Sequence, residues 1–97
     1  MKRIIANYTI LPHRGIFINH VTTLDDNGLL VDIRHVEDEL AYTRYMPGTI
    51  CILPVGYKHL MDDPQLQGLS REQLYLRLTK IIPATDFQGP MEVGQCR

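Results

Sequence analysis

Three glycine-containing turn signals divide residues 1–57 into short apolar stretches. Pro12-His13-Arg14-Gly15, Asp25-Asp26-Asn27-Gly28 and Pro47-Gly48 are the cuts. The runs between them are rich in Ile, Val, Thr and Tyr, which suit a pleated, half-buried surface. Such runs, bounded by Gly, Pro, Asn and Asp, read as strands and hairpins. Residues 3–11 make the first strand. Pro12 blocks its continuation, and Gly15 supplies the permissive backbone for a restart. Residues 16–24 alternate in part, with Ile16, Ile18 and Leu24 on one face and Asn19, Thr23 and Asp25 on the other. Residues 29–36 set Leu29, Val31 and Ile33 against Asp32 and Arg34. Residues 49–55, Thr-Ile-Cys-Ile-Leu-Pro-Val, are a near-continuous apolar run, as expected of a strand buried on both faces.

The Asp25–Gly28 tetrapeptide admits two hairpins. A tight two-residue Asn27-Gly28 turn pairs Leu24 with Val31 and His20 with His35. It also places Ile16, Ile18, Leu24, Leu29, Val31 and Ile33 on one face. A type I turn followed by a glycine bulge shifts that register by one residue. The hydrophobic pattern favours the tight turn. Residues 37–41 read as a connection, with Glu37-Asp38-Glu39 a solvated turn. Residues 42–46 read as a short edge strand, and Pro47-Gly48 fits the centre of a type II turn.

Beyond Tyr57 the character changes. Asp62-Asp63-Pro64 is a break, and a helix is expected over residues 70–82. Ser70 and Gln73 have capping-box spacing, and Leu69 and Leu74 are placed for a hydrophobic staple. Leu74, Leu78, Ile81 and Ile82 make an apolar stripe beside Tyr75, with Arg71, Arg77 and Lys80 toward water. Pro83 ends the helix. Residues 84–97 hold two glycines and a proline and read as a loop or tail.

At 97 residues the chain is expected to form one domain, residues 1–97. A (β/α)₈ barrel, which needs upward of about 200 residues, does not fit in it. Ten basic and eleven acidic residues are interspersed, which argues against nucleic acid or an anionic membrane as partner. Lys2-Arg3 is followed by only three apolar residues, so no leader peptide is expected, and no run reaches the roughly 20 apolar residues of a membrane span. Two cysteines make no disulfide framework, and a bridge between the core strand at Cys51 and the chain end at Cys96 is not expected. Cys51 lies in an apolar run and reads as an inert buried thiol, with Cys96 exposed. A cytoplasmic location is expected.

The order of these elements resembles the N-terminal β-segment of metal-dependent amidohydrolases, the group that includes chlorohydrolases and cytosine-deaminase-like enzymes. The resemblance covers residues 2–57. It rests on the acidic-Gly turn at Asp25-Asp26-Asn27-Gly28, followed by the apolar strand that ends Leu53-Pro54-Val55-Gly56-Tyr57. In that family a Pro-Gly-Phe segment leads to a His-x-His metal motif and a barrel, and strands from late in the chain complete the N-terminal ones. No such strands are expected here, so the helix and self-association are expected to cover the open edges. Here the matching stretch reads Tyr57-Lys58-His59-Leu60-Met61, with His59 alone. The resemblance therefore implies an accessory β-module without the metal machinery, and no hydrolysis of amide, amidine or chlorotriazine-type substrates.

Other chemistry is thinly signalled. His20 and His35 become neighbours in the tight-turn register and could begin a metal site, with Asp32, Glu37 or His13 as remote further ligands. His59 with Asp62 and Asp63 is a second candidate cluster, against a polar connection. Ser70 reads as a cap rather than a nucleophile, because no Gly-x-Ser-x-Gly surrounds it. No catalytic residue and no cofactor site is assigned.

The expectation is a mainly β (α+β) protein. It is a small antiparallel half-sandwich or open barrel of four to five strands over residues 2–57, with one C-terminal helix. Its expected role is a non-catalytic module acting by self-association as a homodimer or by binding a partner such as a hydrolase-like protein. The alternatives are a trans-acting component of a metal-dependent amidohydrolase acting on C–N bonds, and a weak metal-binding protein using His20, His35 or His59.

Overall fold

The computed structural model describes residues 1–36 and 43–96. Its strands are β1 (Lys2–Leu11), β2 (Gly15–Ile18), β3 (His20–Leu24), β4 (Leu30–His35), β5 (Thr43–Pro54) and β6 (Met91–Gln95), with one α-helix, α1 (Arg71–Ile81). Short 3-10 turns occupy Lys58–Asp62, Pro64–Leu66 and Ala84–Gln88. The sheet runs in the order β4-β3-β1-β5-β6, with β2 also on β1. It is mainly β as expected, but mixed rather than wholly antiparallel, because β1 and β5 are parallel. Burial explains this. Ile50, Cys51, Ile52 and Leu53 are each at most 1% exposed, which requires neighbours on both sides. The chain carries β5 across to lie between β1 and β6.

β1 is one long arm of a hairpin whose return arm is β2 followed by β3. Tyr8 pairs with Ile18 and Ile5 with Val21 in one unbroken register. The return arm is interrupted only at Asn19, whose φ is 54°. Asparagine tolerates this left-handed region better than most residues. The hairpin's own turn has Pro12 followed by His13 at φ 67°, and the Arg14 N–H donates to the Leu11 carbonyl at 2.9 Å. Those are the features of a type II turn with an unusual histidine in the position glycine prefers.

The β3–β4 hairpin combines both expected registers. The Gly28 N–H donates to the Asp25 carbonyl at 3.0 Å and Gly28 has φ 81°. The Asp25 carboxylate accepts from the N–H groups of Asn27 and Leu29, each at 2.9 Å. The loop is therefore the bulged form, and Leu24 pairs with Leu30, not Val31. A second irregularity between Thr23 and Leu24 restores the other register, so His20 does pair with His35. Val31, displaced by it, is 51% exposed.

Pro47-Gly48 does not separate two strands. It lies within β5 as a bulge, where the register to β1 slips between Ala6 and Tyr8. Among the described residues Thr43–Met46 pairs with β1 alone, so it is an edge there, as expected. Tyr42 and the expected connection at residues 37–41 lie outside the described residues.

Residues 84–97 are not simply a tail. Pro90 and Gly94 obscure the strand in the sequence, yet Met91–Gln95 pairs antiparallel with Ile50–Pro54. Gly94 sits opposite Cys51, where an added Cβ would lie 2.6 Å from Met61 Cγ. The glycine is there for close packing. The two ends of the strand order meet at one bridge, Leu29 to Glu92, and the six-stranded sheet is not closed.

Two apolar clusters fill the molecule. Ile4, Ala6, Leu24 and Ile50 gather with Leu30, Met46 and Val93 from the strands alone. Ile10, Cys51 and Leu53 lie against Leu60, Met61, Leu66, Leu74, Leu78 and Ile82. The helix follows its predicted start. Ser70 Oγ accepts the Gln73 N–H and the Gln73 side chain accepts the Ser70 N–H, each at 3.2 Å. Leu74, Leu78 and Ile82 are buried, whereas Ile81 is 44% exposed and leaves the stripe. Arg71 sits 3.6 Å over the Tyr8 ring. At the other end, His13 Nε2 donates to the Ile82 carbonyl at 2.6 Å, which answers one of the carbonyls a helix leaves open.

Candidate functional site

The cross-strand register brings His20 and His35 together, with ring centroids 5.2 Å apart and edge-on. Phe17 packs on the other side of His20 at 5.0 Å. His20 Nδ1 is hydrogen-bonded to the Ile18 carbonyl at 3.0 Å, so that nitrogen carries the proton and Nε2 is left as the potential ligand atom. Asp32 is turned to Arg34 at 2.6 Å, and His13 is committed to the helix end. Glu37 lies outside the described residues. Among the described residues no group of three or more His, Cys, Asp and Glu side chains is placed to hold a metal ion.

His59 stands apart from that pair. It lies in the 3-10 turn Lys58–Asp62, its Nδ1 bonded to the Gly56 carbonyl at 3.0 Å. Its neighbour Asp63 caps the next 3-10 turn by accepting the Gln65 N–H at 2.9 Å. Leu60 and Met61 are each 7% exposed and belong to the helical-side core. Tyr57 donates its hydroxyl to Asp86 at 2.6 Å. That bond raises the phenol's pKa, since the carboxylate favours the neutral, donating form. The segment after β5 thus anchors the 3-10 turn Ala84–Gln88, which leads back into β6.

A broad cleft of about 550 Å³ opens where the curled sheet approaches itself. Ile4, Leu24, Met46 and Val93 line it, with Lys2, Arg44 and Lys58 as cations and Glu92 and Asp62 as carboxylates. This mixture of signs gives it no single electrostatic preference.

A link between Cys51 and Cys96 is not expected from the sequence, yet the structure brings the two together. Cys51 Sγ and Cys96 Sγ are 3.1 Å apart. Both are free thiols, Cys51 fully buried and Cys96 half-buried. The hydrogen bond between the two sulfurs pushes the Cys51 thiol up, with burial adding to it. The same bond lowers Cys96. The signal was present: an odd number of residues separates Gly94, opposite Cys51, from Cys96, placing both thiols on one face. It was unreadable without knowing that residues 91–95 form a strand.

No helix among the described residues is long and apolar enough to cross a membrane. Comparison of the chain with protein-family models, with curated proteins and with solved structures returns no match.

Proposed function

We propose that this chain is a non-catalytic β-module of the kind that accompanies metal-dependent amidohydrolases, and that it acts by association along the outer edge of β4, pairing there with a second copy of itself. The observation that carries the reading is that β4 ends the strand order and is laddered on one side only among the described residues. The Val36 N–H donates to the Asn19 carbonyl at 3.3 Å. Antiparallel bonding alternates along a strand, so Ile33 and His35 turn their backbone groups away from β3. An edge of this kind is a template for another strand. A two-fold axis through it pairs β4 with itself antiparallel, the commonest symmetry for identical chains.

Two features support the amidohydrolase-like character. The resemblance implies that strands from late in a chain complete the N-terminal ones, and Met91–Gln95 lies along β5 in that way. The position two residues beyond His59, where a second metal-binding histidine would stand, is Met61. Its side chain fills the space over Gly94 and lies in the core. That position serves packing rather than ligation.

Light scattering on the eluting protein tests the association. The expected mass is that of two chains at micromolar concentration. His35→Pro removes an outward N–H at an exposed edge position, which a sheet edge tolerates, and should give the mass of one folded chain whose unfolding midpoint, unlike that of the unaltered protein, does not rise with concentration. A one-chain mass for the unaltered protein over the whole concentration range would refute the reading.

A further inference from the structure

We infer that Cys51 and Cys96 form a redox pair that closes to an intramolecular disulfide by exchange with a low-molecular-weight disulfide such as oxidised glutathione, locking β6 onto β5. The inference is independent of how the β4 edge is used. It rests on three observations. The two sulfurs are already in contact at 3.1 Å, although the residues are 45 apart in sequence. The Cys96 N–H donates to the Thr49 carbonyl at 3.1 Å, so the ladder of β5 and β6 fixes both backbones around the pair. Gly94, directly opposite Cys51, has no side chain, so nothing on that strand stands between Cys51 and its diagonal neighbour Cys96.

The asymmetry of the pair assigns the order of steps. Cys96 is half-buried and lines a small cleft of about 40 Å³ with Leu60, Leu66, Leu69 and Leu74. Cys51 is 0% exposed. The outer thiol therefore meets the reagent first, and its lowered pKa favours the attacking thiolate. Cys96 gives its proton to solvent and attacks one sulfur of the reagent. The reagent's S–S bond breaks, one thiolate leaves and is protonated, and Cys96 is held as a mixed disulfide. Cys51 then loses its proton and attacks the Cys96 sulfur, expelling the second thiolate, which is protonated in turn. Two protein thiols are oxidised by two electrons and one reagent disulfide is reduced to two thiols. The inner thiol is fully buried, which disfavours its thiolate, so the second step is the slow one.

Joining these residues closes a covalent loop through the helical layer and adds a covalent tie where reduction leaves only strand pairing and side-chain packing. The folded chain, incubated in glutathione buffers of graded poise, quenched by alkylation and weighed intact, gives the test. The expected product has lost two hydrogens, carries no glutathione, and yields a Cys51–Cys96 cross-linked peptide. Cys51→Ser should stop at a single glutathione adduct on Cys96. Cys96→Ser should take up no reagent, because the remaining thiol is buried. In the oxidised chain the amides of Gly94 and Cys96, which face β5, should exchange with deuterium more slowly by about tenfold or more. A persistent glutathione adduct on the unaltered chain, a cross-link between chains, unreacted thiols at an oxidising poise, or unchanged exchange at Gly94 and Cys96 would each overturn the inference. The unaltered chain and Cys96→Ser decide it even if Cys51→Ser does not fold.

Discussion

The Asn7 carboxamide oxygen accepts the Gly48 backbone N–H at 2.8 Å. It also accepts the Tyr45 hydroxyl at 2.9 Å, while the Asn7 carbonyl takes the Asn19 N–H at 3.3 Å. One side chain thus holds the level at which β1, β5 and the β2–β3 arm all depart from regular pairing. Above it the strands feed the sheet-only cluster with Ile4 and Ala6; below it Ile10 packs under the helix. The irregularity bends the sheet and lets its edges approach at Leu29 and Glu92. A bulge is a natural device for such a bend.

Asn7→Ala should lower stability by about 1–2 kcal/mol, since it removes the acceptor for two donors at a partly buried position. Asn7→Asp keeps an oxygen in the same place and should recover most of that loss. Urea unfolding of the three proteins measures both. Equal midpoints for all three would show that the bulge stands without Asn7.

Gly28→Val tests the bulged hairpin. Gly28 has φ 81°, and an added Cβ would meet nothing within 4 Å. The cost is therefore backbone strain without a clash, about 1–3 kcal/mol for a β-branched residue held in that region. Gly28→Asn should be far milder, because asparagine visits left-handed backbone more readily. Thermal unfolding that ranks valine level with asparagine would contradict this.

Ser70→Ala should cost about 0.5–2 kcal/mol through loss of the helix cap. Both reciprocal bonds with Gln73 are formed, so Gln73→Ala should cost less than Ser70→Ala and little more once serine is gone. Helix signal followed by circular dichroism through denaturant unfolding reads this. Additive losses from the two substitutions would mean that the pair does not act as a unit.

Local chemistry was legible in the sequence and long-range pairing was not. Ser70, Gln73 and Pro83 mark the helix because caps and breakers act within a few residues. Residues 50–53 announce a doubly buried strand because all are apolar. The partner of that strand was hidden. Nothing local in the sequence names that partner, and the strand is flanked by β1 and β6, from opposite ends of the sequence. β6 itself was hidden because Pro90 and Gly94 look like loop residues, and only the tertiary contact of Gly94 with Met61 explains the glycine. The His20–His35 pairing belongs to the tight-turn register and the loop to the bulged one, two forms the sequence left open, because a one-residue irregularity between Thr23 and Leu24 offsets the bulge. The thiol pair was illegible for the same reason as β6.

Gly94 and Met61 should prove energetically coupled. An alanine methyl at residue 94 would stand 2.6 Å from Met61 Cγ and 3.2 Å from Leu53 Cδ1, too close for either to remain in place. Gly94→Ala alone should therefore cost about 1–3 kcal/mol, the range for forcing an extra group into a packed core. Met61→Ala alone should cost about 2–5 kcal/mol by leaving a cavity under β6. Together the new methyl occupies part of the space the methionine vacates. The double variant should then be more stable than the sum of the single losses predicts by about 0.5–2 kcal/mol, a coupling of the size contacting residues show. Denaturant unfolding of all four proteins measures it. Strict additivity would mean that Met61 does not fill the gap opposite Cys51, and that the strand at Met91–Gln95 is seated differently against the core.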